Sequence, residues 1–186
     1  LARNQIKYQI ITKSDLVVRD LDILKKSKCS VAITVTTLKE EVARKLEPNA
    51  PSPSRRIKAL KKLHQNKIPT VARIDPIIPF LNDTEIETLV ENLSFVDHIV
   101  ASTFKPRYDS WRRFSKVFPD IAKKLRKHYF IDGEKRSNSW YLPKNMRFKL
   151  LSKVKQVAED KGISFGSCRE NFYSTKSCDG SHLILK

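Results

Sequence analysis

Arg73 and Asp75 are the residues whose types and spacing first suggest chemistry in this chain. They lie where a short apolar run meets a proline-stiffened loop, in the segment IPTVARIDPIIPFLND. Residues two apart in a strand point to the same side, so the guanidinium and the carboxylate would lie together. Such a pair suits recognition of a charged substrate or of a cofactor carboxylate. The alternative is a structural ion pair between the two side chains.

Two further segments repeat the layout of an apolar strand, a polar tip and a following helix. They are YQIITKS, which ends at Ser14, and VAITVTT, which ends at Thr37. With a fourth strand predicted over His98–Thr103, the repeats indicate an α/β fold with parallel strands. In such folds the strand tips carry the site. The other polar residues predicted at strand tips are Lys13, Ser102, Thr103 and Lys105.

The segments between the strands are predicted to be helices with one apolar side. Ser52 and Pro53 favour a helix start, and the basic residues that follow, Arg56 among them, are expected to face solvent. Asn82 and Asp83 are interpreted as the end of a loop and the cap of the next helix. Two pairs have the spacing of a capping box: Thr37 with Glu40, and Thr84 with Glu87.

Residues 105–186 form a basic and aromatic region, which we expect to be an α+β extension of a first domain over residues 1–104. The extension holds 20 Lys and Arg against 8 Asp and Glu, so it carries +12 of the total charge of +17. Such a charge favours nucleic acid through phosphate contacts and counterion release, and a solvated lysine-rich surface is the alternative. The expected elements are a helix from about Pro119 to Lys127, hairpin arms at Tyr129–Ile131 and Ser139–Tyr141, an amphipathic helix between Pro143 and Gly162, and a short strand at Ile163–Phe165.

The tail contains Cys168 and Cys178, which admit three interpretations. They could be ligands of a metal or auxiliary cluster, a disulfide, or thiols near the substrate. Their spacing matches no CxxC motif, so no metal ligand is predicted.

A set of phrases in fixed order carries a resemblance that periodicity alone does not supply. The phrases are IITKSDLVVRDLDIL, AITVTT, LEPNAPSPSRRIKAL, PIIPFLND, STFKPRYDSW, and the terminal CRE and CDGSH. Together they resemble the radical S-adenosylmethionine (SAM) superfamily, in the branch grouped with spore photoproduct lyase and often labelled DNA repair photolyase. The resemblance implies a partial TIM-type barrel, of which about four strands would be present here.

The resemblance also implies SAM and a [4Fe–4S] cluster as cofactors of the full-length protein. That family holds its cluster on a CxxxCxxC loop, and this chain has no such motif, since Cys29, Cys168 and Cys178 are dispersed. We therefore expect a C-terminal portion of a longer enzyme, which alone neither assembles the cluster nor cleaves SAM.

Candidate site residues follow from the resemblance and from position. Thr34 and Thr36 would bind the ribose and carboxylate of SAM, although threonines are also ordinary strand formers. Ile78 would belong to an apolar wall for adenine. The predicted cofactor-binding set is Thr34, Thr36, Arg73, Asp75, Ile78 and Ser102. The predicted substrate or nucleic-acid set is Lys105, Arg107, Trp111, Arg112, Arg113, Lys124, Cys168 and Cys178, with Tyr108, Phe114 and Tyr129 as aromatic candidates that are more often core residues.

The function predicted from these observations is that of a lyase-like radical SAM enzyme acting on DNA or RNA. The alternative is a non-catalytic nucleic-acid-binding module. The exposed edge of the first strand would also permit self-association. No apolar run approaches the roughly 20 residues that span a bilayer, and no signal peptide is evident, so a cytoplasmic location is expected.

Overall fold

The structure is a computed structural model that describes residues 1–172, 174 and 176–184. The strands within these residues are β1 Tyr8–Thr12, β2 Cys29–Thr34, β3 Thr70–Ile77, β4 His98–Thr103, β5 Glu134–Arg136, β6 Ser139–Tyr141 and β7 Ser164–Ser167. The α-helices are α1 Leu21–Leu24, α2 Glu40–Leu46, α3 Pro53–Gln65, α4 Ile86–Asn92, α5 Tyr108–Val117, α6 Pro119–Phe130 and α7 Lys144–Asp160. Short 3₁₀ turns lie at Ala2–Asn4, Asp15–Asp20, Asp83–Glu85 and Ser181–Ile184.

Five parallel strands form one open sheet in the order β1-β2-β3-β4-β7. This confirms the predicted α/β class and the parallel repeats of a partial TIM-type barrel. The fifth strand, β7, comes from the basic region, so that region contributes to the sheet. β1 lies at the edge and has no further neighbour among the described residues.

The main core lies between one side of the sheet, here called the outer face, and the helices α3, α4 and α7. Every residue of β2 is buried, as expected for a parallel strand covered on both sides. The outer-face core includes Ile33, Leu60, Ile99 and Val154. A second core joins Ile78 to the aromatic residues of α5 and α6, which confirms the expectation that Phe114 and Tyr129 are core residues.

The opposite side of the sheet, the inner face, carries Ala32, Val71 and Val100. Leu183 packs against these residues, and Gln9 at the amino end of the sheet donates to the Asp179 carbonyl over 2.9 Å. The tail therefore covers the amino ends of the strands. The carboxyl ends, which carry the polar tips, remain open.

Local signals for helix starts are partly correct. Ser52 caps α3 by accepting from Arg55 N over 3.4 Å, as predicted. Both predicted capping boxes are wrong. In the first, Thr37 donates to the buried carboxylate of Glu85 over 2.7 Å. Glu85 lies in the 3₁₀ turn that contains Thr84, and α4 starts after that turn, without a side-chain cap.

The first predicted hairpin arm is also wrong. Tyr129 belongs to the last turn of α6, where its buried hydroxyl donates to the Phe104 carbonyl over 2.8 Å. The paired strands are β5 and β6, so only the arm at Ser139–Tyr141 is confirmed. The amphipathic helix predicted between Pro143 and Gly162 is α7.

Candidate functional site

Polar residues at the carboxyl ends of β2, β3 and β4 meet on the inner face. Thr34 is the register partner of Arg73. Arg73 Nη2 donates to Asp75 Oδ2 over 2.8 Å, and Ser102 Oγ donates to Asp75 Oδ1 over 2.6 Å. The predicted pair therefore does form an ion pair, and Ser102 extends it to the neighbouring strand. Because both oxygens of Asp75 are engaged, the carboxylate is fixed at the mouth of the sheet.

A cleft of about 530 Å³, here called the first cleft, opens beside this carboxylate. Its polar wall combines one acid with hydroxyl, thiol and cationic groups. These are Asp75, Ser102, Lys105, Arg107, Cys168 and Arg169. Such a wall suits a polar ligand that carries negative charge.

A second cleft of about 510 Å³ adjoins the first, since Pro76 and Phe104 line both. The apolar side of the second cleft includes Ile78 and Phe118, and Thr36 lies on its polar side. The pair of clefts thus offers a polar compartment beside an apolar one, which is common in sites for small ligands.

Arg56 is buried, so the prediction that it faces solvent is wrong. Its side chain donates to the Thr34 carbonyl over 3.0 Å, to the Pro51 carbonyl over 2.7 Å and to the Glu47 carboxylate. Glu47 also accepts from Thr36 Oγ1 over 3.4 Å. The guanidinium therefore anchors the end of β2. Helical spacing could have revealed this, because the buried positions of α3 include Arg56, Ala59, Leu60 and Leu63.

Asn82 is a second residue whose role differs from the prediction. It does not cap a helix through its side chain. Its Nδ2 donates to the Thr36 carbonyl over 2.7 Å and to the Pro76 carbonyl over 3.1 Å, while its Oδ1 accepts from Ile78 N over 2.7 Å. Asn82 therefore fixes the loop after β3 to the end of β2.

Glu170 supports the rim of the first cleft from beneath. Its carboxylate is fully buried and accepts from Thr103 N and Oγ1 over 2.7 and 2.9 Å. The same carboxylate binds Lys105 Nζ at 2.7 Å, so Lys105 is a half-buried partner of Glu170 at the cleft wall. The only sequence signal for Glu170 was its place in the phrase CRE.

The other predicted nucleic-acid contacts are mostly exposed. Arg112 and Arg113 are exposed and both pair with Asp109, at 3.4 and 2.6 Å. Trp111 is half-buried, and its ring packs against Phe130 and Tyr129 at centroid distances of 4.9 and 5.6 Å, so it is not an open stacking surface. The remaining exposed members of the predicted set are Arg107, Lys124 and Cys178.

The three cysteines are free thiols in different environments. Cys29 lies in the outer-face core, where burial raises the pKa of its thiol. Cys168 lines the first cleft, and Cys178 is exposed in the tail. Among the described residues, no three His, Cys, Asp or Glu side chains are placed to hold a metal ion.

The described residues fit one of the two cofactors that the family resemblance implies and do not fit the other. A [4Fe–4S] cluster does not fit the described residues, because it needs several neighbouring thiolates. SAM fits the strand ends, because Asp75 and Ser102 supply carboxylate and hydroxyl groups beside the second cleft, whose apolar side includes Pro76 and Phe104. Thr34 ends the neighbouring strand, and Ile78 is fully buried behind that apolar side. No helix in the described part of the chain has the length and apolar character needed to cross a membrane.

Solved structures of spore photoproduct lyase share this fold. The enzyme complexed with dinucleoside spore photoproduct matches with a TM-score of 0.63 and 14% identity, over 86% of this chain and 49% of that chain. A mutant with bound AdoMet and dinucleoside spore photoproduct matches with a TM-score of 0.64 and 15% identity, over 89% and 51%. The chain thus spans about half the length of these structures.

Curated relatives match over shorter regions. Uncharacterized protein MJ0683 of Methanocaldococcus jannaschii is 47% identical over 77 residues, which are 41% of this chain and 30% of that protein. Uncharacterized protein ORF301 of Acidianus two-tailed virus is 36% identical over 76 residues, which are 40% of this chain and 25% of that protein.

The Radical SAM superfamily matches residues 1–93, which are half of the chain. The matched region contains β1, β2 and β3, and with them Thr34 and the Arg73–Asp75 pair at the strand ends. The chain belongs to the Radical SAM superfamily.

Proposed function

We propose that this chain is the part of a radical SAM enzyme that binds SAM at the carboxyl ends of its strands. It would bind DNA or RNA on its basic half, which is the basic region of residues 105–186. The observation that carries the proposal is the Asp75 carboxylate, held by Arg73 and Ser102 at the mouth of a cleft with a cationic rim. The spore photoproduct lyase structures support it, because AdoMet and a dinucleoside photoproduct are bound in one of them.

When bound, the SAM and [4Fe–4S] cluster of this superfamily would supply the radical chemistry that removes hydrogen from a substrate. A cluster would need thiolates other than the three described here. The proposed part of this chain is therefore binding and orientation. Asp75 would accept hydrogen bonds from SAM, and the Thr34 hydroxyl would donate to its polar groups. Thr36 and Ser102 would lie on either side of these groups, and Ile78 would support the apolar side that faces adenine.

Nucleic acid would approach across the basic half. Lys105 and Arg107 lie at the first cleft, and Arg112, Arg113 and Lys124 are exposed on α5 and α6. Cations placed along one approach to a cleft attract a polyanion and release its counterions on binding. Cys168 would be a thiol near the substrate in this arrangement, whereas Cys178 lies in the tail near His98, at the amino end of β4.

Equilibrium dialysis with radiolabelled SAM tests the proposed SAM binding on the chain of 186 residues. The wild-type chain should bind SAM saturably, and Asp75→Asn should raise Kd about tenfold, because a charge-assisted hydrogen bond contributes about 1.4 kcal/mol or more. Asp22→Asn, an exposed carboxylate on α1, is the matched control and should leave Kd unchanged. Absence of saturable SAM binding by the wild-type chain would overturn the proposed SAM binding.

The alternative function is a nucleic-acid-binding module without catalysis, favoured by the charge of the basic half. Fluorescence anisotropy with a labelled oligonucleotide at low salt separates the two. Binding of both SAM and nucleic acid supports the enzyme, whereas nucleic-acid binding without SAM binding supports the module.

We also propose that the chain self-associates through β1. Its outer edge is unpaired among the described residues, and Ile11 in this strand is 56% exposed. An exposed strand edge with an apolar side chain is a template for pairing with another chain. Light scattering should show dimers as concentration rises, and Ile11→Lys should reduce them; a strict monomer at high concentration would refute the idea.

A further inference from the structure

Phe80 is an aromatic residue presented to solvent by an unusual backbone. It follows Pro79 in the loop after β3, and it is 48% exposed. Its φ is 65°, in the left-handed region that bulky residues rarely adopt. A ring that is about half exposed gains only part of the free energy of burial, so packing alone does not explain why a phenylalanine occupies this position. Residues held in such conformations cluster at functional sites.

The loop that carries Phe80 is held rigidly to the candidate cofactor site. Leu81 N and Asn82 N both donate to the Ile78 carbonyl, over 3.2 Å each, so the chain turns tightly around Phe80. The side chain of Asn82 ties this turn to the Thr36 carbonyl at the end of β2. The ring is therefore presented at a fixed distance from the strand ends rather than on a loose loop.

The basic helix α6 flanks the ring. Lys124 Nζ lies over it, 5.8 Å from the centroid. The His128 ring is stacked on it at a centroid distance of 6.4 Å and an interplanar angle of 29°. The exposed cations of α6 are Lys123, Lys124, Arg126 and Lys127. A half-exposed aromatic ring beside exposed cations is a combination that binds single-stranded nucleic acid, in which bases stack on the ring and phosphates pair with the cations.

The other aromatic candidates lack this combination. Trp111 is packed among the rings of Phe130 and Tyr129. Tyr108 is 78% exposed, but it makes no ring or cation–π contact within the described part of the chain.

We propose that Phe80 is a stacking platform for an unpaired base of a bound nucleic acid, and that Lys124 contacts the adjoining phosphate. This inference rests on the proposed nucleic-acid-binding function. Stacking on a side chain needs an unpaired base, so Phe80 would favour a single strand over a duplex. It also places that base next to the strand ends that carry the candidate cofactor site.

A single-stranded oligonucleotide containing 2-aminopurine tests the proposal at low salt, because stacking on an aromatic ring quenches that base. The wild-type chain should bind and quench it. Phe80→Ala should lose roughly tenfold in affinity, the scale of one base–aromatic stack, and should lose the quenching. Phe80→Trp should keep both, and Lys124→Ala should reduce the slope of log affinity against log salt by about 1.

Two controls separate binding from folding and position. Phe80→Gly should bind as weakly as Phe80→Ala while its Tm is equal to or above the wild-type value, because glycine adopts positive φ without strain. Tyr108→Ala, at an aromatic residue that is 78% exposed, should bind like the wild type. Wild-type binding that is insensitive to Phe80, or quenching that depends on Tyr108 instead, overturns this inference alone. A wild-type chain that binds no oligonucleotide overturns the proposed nucleic-acid binding together with it, and leaves the proposed SAM binding to the dialysis experiment.

Discussion

Arg147 and Glu170 form an ion pair that is almost completely withdrawn from solvent, with side chains 1% and 0% exposed. Arg147 Nη1 lies 3.3 Å from Glu170 Oε2 and also donates to the Glu170 carbonyl over 2.8 Å. The other carboxylate oxygen of Glu170 accepts from Thr103 and Lys105. This pair therefore joins α7 to the end of β4 and to the rim of the first cleft.

Loss of one partner of this pair should destabilise the fold strongly. Arg147→Met leaves the Glu170 carboxylate buried with fewer partners, and such a change costs about 3–5 kcal/mol. Urea unfolding measures the loss. Arg112→Met is the control, because Arg112 pairs with Asp109 at the surface and should contribute less than about 1 kcal/mol. Equal losses in the two variants would contradict the assigned role of the buried pair.

Arg56 should support the candidate cofactor site through the end of β2. Arg56→Lys keeps the charge, but an ammonium cannot span the Thr34 carbonyl, the Pro51 carbonyl and Glu47 as the planar guanidinium does. We expect a loss of about 1–3 kcal/mol in unfolding free energy and weaker SAM binding in equilibrium dialysis.

The neighbouring residue supplies the control for that experiment. Arg55 is exposed and pairs with Asp15 at 2.7 Å, so Arg55→Lys should change neither stability nor SAM binding appreciably. If Arg56→Lys behaves like Arg55→Lys, the guanidinium does not position β2.

The site was predictable where its geometry follows from strand alternation. Arg73 and Asp75 are two apart in one strand, so their ion pair follows from pattern alone. Ser102 was predicted only as a polar residue at a strand tip, and its bond to Asp75 depends on a register shift between β3 and β4. Contacts that depend on distant partners were not predictable in this way. The Thr37 hydroxyl binds Glu85, 48 residues away, in preference to the local capping box. Nothing in the phrase PIIPF indicates that Phe80 would be the residue turned outward.

His98 should make the stability of the chain depend on pH. Burial, and then the charge on His182, lower the pKa of His98 to about 4 from 6.5. The ring faces Ser164 of β7, and His182 and Asp179 of the tail. Between pH 6.5 and about 4, only the unfolded chain binds the proton, so stability should fall with decreasing pH by about 1.4 kcal/mol per unit.

Urea unfolding at pH 7, 5.5 and 4.5 tests this expectation. His98→Gln should lose most of the pH dependence in that window, whatever its stability at pH 7. His64→Gln is the control, because the His64 side chain is 42% exposed and should leave the dependence intact. A wild-type slope that persists in His98→Gln would show that groups other than His98 cause the effect.

Anaerobic reconstitution with iron and sulfide should give no competent cluster on this chain. Cys29 is buried in the core, Cys168 lies at the first cleft and Cys178 is in the exposed tail, so three thiolates do not meet in the described structure. Iron analysis and absorbance decide the matter, with the triple Cys→Ser variant as the background. About four irons per chain with SAM cleavage would show that the cysteines can assemble after all.

Nucleic-acid binding should be strongly salt-dependent and largely indifferent to sequence. Charge reversal at Arg112, Arg113 and Lys124 removes exposed cations of α5 and α6, so affinity should fall and the slope of log Kd against log salt should flatten by about 1 or more. Reversal of Lys58, Lys61 and Lys62, which are exposed on α3 behind the outer face, is the matched control for net charge. If both sets of reversals weaken binding equally, the effect comes from total charge, and the basic half has no defined binding face.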